Sequence, residues 1–335
     1  MFFRRQRESS TTVTLRDPEA IFAEIAELSE RNRSDRDPAL ERKILALRHE
    51  AGAQLAGRAN SDARFPEPAY DELVSANGSG IAEVRPEQVT PQLVRAALLR
   101  DGALLVRGAV DRDQALGFAD EIEAAFAARS GGNGAEGYYE EFDPGPQVDL
   151  TGERGWVTEG GLWAADSPKL MFDMLDAMRA CGLDRVIHGY LGETPAISIQ
   201  KCTMRKVNPD SGAGWHQDGA FLGEVRALNV WMSLSRCGDL APGLDIVPKR
   251  LTEIVPTGTE GAIFDWSVAP DVVERVAGPE GVVRPIFEPG DVLLFDEMNL
   301  HSTAADPSMP NPRYAIESWF FGLSGFPSEY VPIAC

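Results

Sequence analysis

Apolar residues recur at helical spacing through the first half of the chain and at strand spacing through the second. Asp17-Pro18-Glu19 places a capping carboxylate before a proline, a helix start, and Ile21, Phe22, Ile25 and Leu28 follow on one face. Asp37-Pro38 repeats the device ahead of Leu40, Ile44, Leu47 and Leu55. The polar run 31–35 between them predicts a loop. Residues 59–80 carry Asn, Ser, Pro and Gly and read as a linker that wraps the main body. This divides the chain into an N-terminal helical extension with its linker, residues 1–80, and a main domain, residues 81–335, whose first elements begin near residue 85.

In the main domain, Thr90-Pro91 starts a helix with Leu93, Val94, Ala97 and Leu98 on its face. Asp101-Gly102 then turns into a short buried strand, Ala103–Val106, and a helix follows with Ala115, Phe118, Ile122 and Phe126 on one side. Periodicity is lost over residues 130–160, which hold Gly131, Gly132, Gly134, Gly137 and the cluster Tyr138–Phe142; either a lid over substrate or a packed surface loop fits. Ser167-Pro168 begins another helix, and a shorter one runs near Asp184–Tyr190. From residue 196 the texture is β: Ile197–Val207, Leu228–Leu234, Leu244–Val247, Val282–Phe287, Val292–Phe295 and Tyr314–Phe320, separated by Pro- and Gly-containing turns. Helices first and many short strands after predict a mainly β protein with flanking helices, a sandwich or jelly roll. No glycine-rich phosphate loop occurs between a strand and a helix.

Composition changes the picture in two ways. Apolar residues at 43% and charged residues at 25% fit an ordinary globular chain. The net charge of −20 is unevenly spread: residues 61–335 hold 21 basic against 42 acidic side chains. A body this acidic repels phosphate backbones, which argues against nucleic acid as a partner and makes a CoA thioester an awkward substrate. No run approaches the roughly 18 apolar residues of a membrane helix, and the opening Met1–Arg5 has no apolar stretch behind it, so no membrane partner and no secretory signal are expected. Cys181, Cys202, Cys237 and Cys335 show no paired spacing and read as free thiols of a reducing, cytoplasmic compartment.

The chemistry concentrates on two of four histidines. His49, beside Arg48 and Glu50, reads as a surface helix residue, and His188 as a helix-end residue. In Gly214–Gly219, His216 and Asp218 are two residues apart, and an extended strand would send both to one face. His216 alone would read as a satisfied strand histidine. His301 arrives 85 residues later on another β segment, and two His with one carboxylate leave open positions on a metal, the pattern of a non-haem Fe(II) oxygenase. Arg313, twelve residues past His301, opens the last clear strand; an arginine at the base of an apolar barrel needs an anion, and a dicarboxylate co-substrate would supply one. Trp215, Phe221, Glu297 and Asn299 flank the candidate ligands and could face substrate.

The order HxD, distal His, then Arg resembles the Fe(II)- and 2-oxoglutarate-dependent dioxygenases. Asp101–Gly108, Trp215–Asp218, Asn229–Leu234, Ala241–Leu244 and Gly290–Phe295 resemble the phytanoyl-CoA dioxygenase family within them, over about residues 85–325. The resemblance implies a double-stranded β-helix (jelly-roll, cupin-like) core. It implies that His216, Asp218 and His301 hold Fe(II), that Arg313 binds the distal carboxylate of 2-oxoglutarate, and that Thr303 donates a hydroxyl hydrogen bond. Trp231 and Gln200 stand where the family contacts the co-substrate, although a core Trp and a strand-edge Gln are equally natural readings. The implied reaction consumes O2 and 2-oxoglutarate, releases succinate and CO2, and oxidises a C–H bond of a small molecule. Halogenating relatives replace the carboxylate ligand by a small residue, so Asp218 favours hydroxylation, with desaturation or cyclisation as other outcomes. A jelly roll that binds a ligand without turnover is the alternative from outside the enzymes. The chain departs from the family after Pro248, where Lys249-Arg250-Leu251 stands in place of the usual Gly-Ser-His.

Overall fold

The computed structural model of this chain describes residues 16–58, 60, 62–73, 80–132, 137–146, 148–157, 160–211 and 214–335. Arg4, Arg5, Gly134 and residues 59, 61 and 74–79 of the expected linker lie outside the described residues. Helices α1 (Pro18–Ser34) and α2 (Pro38–Leu55) begin at the expected prolines, with the Asp17 and Asp37 side chains accepting from the amides of Glu19 and Ala39. The loop expected at 31–35 is shorter than its polarity implies, because α1 runs on through Ser34. Asn32 turns inward there, and its Nδ2 donates to the buried Glu41 carboxylate at 3.2 Å. Polar residues that find buried partners need not leave the helix.

The main body continues with β1 (Ala82–Val84), α3 (Pro91–Asp101), β2 (Ala103–Val106), α4 (Arg112–Arg129), α5 (Thr151–Arg154), β3 (Gly161–Trp163), α6 (Pro168–Ala180) and α7 (Leu183–Leu191). Then come β4 (Pro195–Val207), α8 (Gly219–Leu222), β5 (Ala227–Ser233), β6 (Gly243–Ile246), α9 (Pro270–Ala277), β7 (Val292–Phe295), β8 (His301–Ala304), β9 (Arg313–Gly322) and β10 (Pro332–Ala334). The larger sheet runs β1-β2-β7-β5-β9-β4-β10 with β3 also paired to β4, and β6 and β8 form a smaller second sheet. Isolated bridges, His216 to His301 and Trp215 to Val268, extend the second layer. This is a jelly-roll core with helices on its outer face, as expected. The expected strand at 282–287 contributes only single bridges, Val283 to Ile246 and Phe287 to Cys237. Pro285 stands between them and has no N–H to continue a ladder.

Alternation divides the larger sheet into two faces. Leu228, Val230 and Met232 of β5, Val292 and Leu294 of β7, and Ile316 and Phe320 of β9 pack against the helices. Trp231, Leu293, Phe295, Ala315, Trp319 and Phe321 face the barrel interior. In β4 the register shifts between Ile197 and Cys202. Before the shift Ile197 and Ile199 face the helices; after it Cys202 and Met204 do. A bulge changes which parity points inward. It therefore sends Lys201, Thr203 and Arg205 into the interior, where unbroken alternation would have put them on the side of Ile197.

The N-terminal helices share the outer core: Ile21, Ile44 and Leu45 belong to the same apolar cluster as Ile333 and Ala334 of β10. Arg48 donates to the Ala334 carbonyl at 2.8 Å. His49 is half-buried, not on the open surface, because its ring meets the Pro332 carbonyl at 3.0 Å and the edge of Phe142. The Tyr138–Phe142 cluster packs here as well, with the Phe142 amide donating to the buried Asp166 carboxylate and Glu140 paired to Arg42. None of it lines the barrel interior. Two of the recognised motifs are joined by one ion network: Arg107 spans Glu83 and Asp291, and Asp291 also accepts from the Gly108 amide at 2.8 Å. Gly102, at φ 75°, passes so close to the Lys249 carbonyl that a Cβ would stand 2.7 Å from it.

Candidate functional site

A cavity of about 700 Å³ opens between the two sheets. His216 and His301 are brought face to face by a reciprocal bridge, each amide donating to the other's carbonyl at 3.0 and 3.1 Å, and their rings lie 4.5 Å apart. Each Nδ1 sits against a backbone carbonyl, His216 to Gly214 at 2.9 Å and His301 to Asn299 at 3.2 Å. Donation from Nδ1 leaves each Nε2 with a free lone pair aimed into the cavity. Burial, with the neighbouring His216, pushes the His301 imidazole down to about 4, so it is neutral at physiological pH.

Asp218 joins them by a route different from the expected one. It is not part of a strand: its backbone is helical, φ −62° and ψ −25°, and it leads into α8, with the next amide, Gly219, donating to the Glu297 carbonyl at 2.8 Å. The turn, not strand alternation, swings the carboxylate toward the imidazoles. Its Oδ2 lies 4.0 Å from His216 Nε2 and 3.9 Å from His301 Nε2. Its Oδ1 faces Lys201 Nζ at 3.7 Å. Burial opposes the charge, yet Lys201 and the two imidazoles hold the Asp218 carboxyl below its ordinary range. Asp218 Oδ2 is buried with no hydrogen-bond partner. A buried, ionised, unpartnered oxygen between two imidazole lone pairs suits a cation, since leaving it empty is expensive. One ligand atom from each residue lies within 4.8 Å of the others. The set fits a divalent metal of the Fe(II) type with open positions.

Arg313 is buried in the same cavity. It donates to the Gly243 carbonyl at 3.1 Å, lies 5.5 Å from the Trp231 ring, and keeps its Nε unpaired. Burial lowers it to about 10, still charged at neutral pH. Thr303, two residues past His301 on β8, and Trp231 line the cavity too. Gln200 lines it but is partly engaged, its Oε1 accepting from the Val331 amide at 3.0 Å. Phe221 flanks the opening. Trp215, Glu297 and Asn299 do not line the cavity. Trp215 bridges to Val268, and the Asn299 amide group donates to the Gly102 carbonyl. Arg250, in the segment that departs from the family pattern, pairs with Asp296. Lys201, Thr203, Arg205, Trp163, Trp266, Glu317 and Tyr330 also line the cavity and were not singled out by sequence.

The fold and site together define a jelly roll whose cavity holds a His-Asp-His cluster of metal-ligand type and a buried arginine. No protein-family model matches the chain, and no curated protein matches it in sequence. Solved structures do. EctD from S. alaskensis with 2-oxoglutarate and 5-hydroxyectoine is 18% identical with a TM-score of 0.50, over 80% of this chain and 86% of that one. EctD from S. alaskensis with bound Fe is 18% identical with a TM-score of 0.49, over 81% and 88%. The epimerase SnoN in complex with Fe3+, alpha ketoglutarate and nogalamycin RO is 18% identical with a TM-score of 0.43, over 68% and 82%. The first of these establishes the fold. Among the described residues no helix is long and apolar enough to cross a membrane.

Proposed function

We propose that this chain is an Fe(II)- and 2-oxoglutarate-dependent oxygenase of the phytanoyl-CoA dioxygenase type that hydroxylates a C–H bond of a small molecule. The observation that carries the reading is the unpartnered Asp218 Oδ2 between the His216 and His301 Nε2 atoms. His216, Asp218 and His301 would hold Fe(II), and Lys201 would keep the second Asp218 oxygen turned away from it. When bound, iron with 2-oxoglutarate and O2 supplies the oxidising power, with succinate and CO2 released. Arg313 receives the distal carboxylate of the co-substrate, with the Thr303 hydroxyl beside it. Trp231, Leu244 and Phe295 make that wall apolar and exclude water. Asp218 fills the third ligand position, which favours hydroxylation over halogenation. Residues 81–335 carry the whole site, with the N-terminal helices as a brace. The four free thiols suit a cytoplasmic setting.

The test is anaerobic titration of the purified chain with Fe(II) and 2-oxoglutarate, followed by oxygen exposure and succinate measurement. Joint binding, with slow succinate release even without substrate, is the expected result. Failure of both ligands to bind would leave a non-catalytic ligand-binding jelly roll.

A further inference from the structure

Besides Arg313 and Lys201, the cavity holds a third cation that the reading above leaves unused. Arg205 lines the cavity on β4, one strand beyond the strand of Arg313, and its Nε is buried without a hydrogen-bond partner. In register it lies between Gly161 of β3 and Ala315 of β9, neither of which has a side chain long enough to reach its guanidinium. The next inward residue, Thr203, faces Trp163 across the β3–β4 pair. Thr203 Oγ1 and Trp163 Nε1 are also buried and unpartnered, at 6% and 1% residue exposure. Each such group forfeits a hydrogen bond it had in water. Three of them, a guanidinium, a hydroxyl and an indole N–H, stand on neighbouring positions of the β3–β4 pair along one cavity wall, and none has an acceptor.

We infer that this wall binds the substrate's carboxylate, so that the substrate is a small organic acid. Arg205 neutralises the charge while Thr203 and Trp163 donate to its oxygens. Glu317 faces Thr203 from β9, so Arg205 must already balance one carboxylate beside the substrate's own, and a second acid group would be uncompensated; a monocarboxylate fits. Phe221, Trp266 and Tyr330, also in the lining, offer an aromatic surface to the rest of the molecule. The two anion anchors then divide the work: Arg313 takes the co-substrate and Arg205 the substrate.

The inference rests on the oxygenase reading for its reaction, but not for its binding measurement. Calorimetric titrations use acid–amide pairs with a common body: phenylacetate and phenylacetamide, 3-phenylpropionate and 3-phenylpropionamide, hexanoate and hexanamide. They are run on the protein loaded anaerobically with Fe(II) and 2-oxoglutarate, and again on metal-free protein. At least one acid should bind about tenfold tighter than its amide. Arg205→Gln should bring that pair within about twofold while 2-oxoglutarate affinity stays within about twofold. Thr203→Val, the milder change, should reduce the preference in part and covers the case in which Arg205→Gln does not fold. Absence of an acid preference in every pair overturns the inference. So does an Arg205→Gln protein that loses 2-oxoglutarate affinity and keeps the preference, since Arg205 would then serve the co-substrate. Failure of the oxygenase reading shows separately, as wild-type protein that takes up neither Fe(II) nor 2-oxoglutarate.

Discussion

The two faces of the large sheet are built from alternate residues of the same strands, yet they follow opposite rules. On the helix side, Val230, Leu294 and Phe320 sit in a continuous apolar cluster, and the two hydroxyls of β9 there are both met, Ser318 by Cys202 and Met174 and Tyr314 by Glu123. On the cavity side, Thr203, Arg205 and Arg313 leave polar atoms unpaired, as do Trp163 and Asp218 beside them. One face is satisfied by the fold itself. The other leaves polar atoms that suit a bound molecule.

The largest effect should come from breaking the cavity side at its proposed metal ligands. His216→Ala removes one of two imidazoles whose Nε2 faces Asp218 Oδ2. Iron content after anaerobic reconstitution should fall to background, and turnover with it, while the melting temperature of the metal-free protein changes little. Full iron retention would sink the ligand assignment. Next comes Arg313→Met, which removes the proposed co-substrate anchor. 2-Oxoglutarate affinity should weaken by about 2–5 kcal/mol. Stability should hold or rise, because Arg313 is buried with a hydrogen bond to the Gly243 carbonyl and an unpaired Nε, and an apolar side chain of similar length has no charge to desolvate. Equilibrium dialysis and thermal melts measure the two halves, and a co-substrate affinity equal to wild type contradicts the role.

Leu294→Ala is the mirror experiment. Leu294 is fully buried on the helix side of β7, between Leu104 and Val230 in register. Its truncation should cost about 2–5 kcal/mol in denaturant unfolding and leave 2-oxoglutarate affinity within about twofold. A stability loss at Arg313 and an affinity loss at Leu294 would reverse the comparison.

The sequence made the fold and the metal ligands legible for different reasons. Helix starts at Pro18, Pro38, Pro91 and Pro168 are local chemistry, a capping residue before a proline in three of the four, and all four lie where expected. His216, Asp218, His301 and Arg313 were legible as an ordered set, although the geometry that joins Asp218 to the histidines is a helical turn and not a strand face. The wall of β4 was not legible. Uniform alternation through 195–207 would keep Arg205 on the face of Ile197, and only pairing with β9 reveals the bulge that moves it. Trp163 was missed because a three-residue strand gives no periodic signal. The ion network of Arg107, Glu83 and Asp291 was visible only as motif likeness; its cause is pairing across residues far apart in sequence.

The smallest expected effect sharpens the comparison by setting two buried carboxyls side by side. Asp218 is buried, and Lys201 holds its carboxyl below the ordinary range. Glu297 stands outside the cavity lining, and its Oε2 is likewise buried and unpartnered. Burial and then the adjacent Asp296 raise it to about 7, against the pull of Arg250. In the unfolded chain it ionises near its ordinary value of 4.5. The folded state therefore holds the proton more tightly, so stability from this group is present below about 4.5, falls as pH rises toward 7, and stays reduced above it. Glu297→Gln carries no charge at any pH. Its melting temperature relative to wild type should rise between pH 5 and pH 8, by a few degrees on the order expected for about 1 kcal/mol. A difference that is the same at both pH values would mean that Glu297 is ionised in the fold, with Arg250 outweighing its burial.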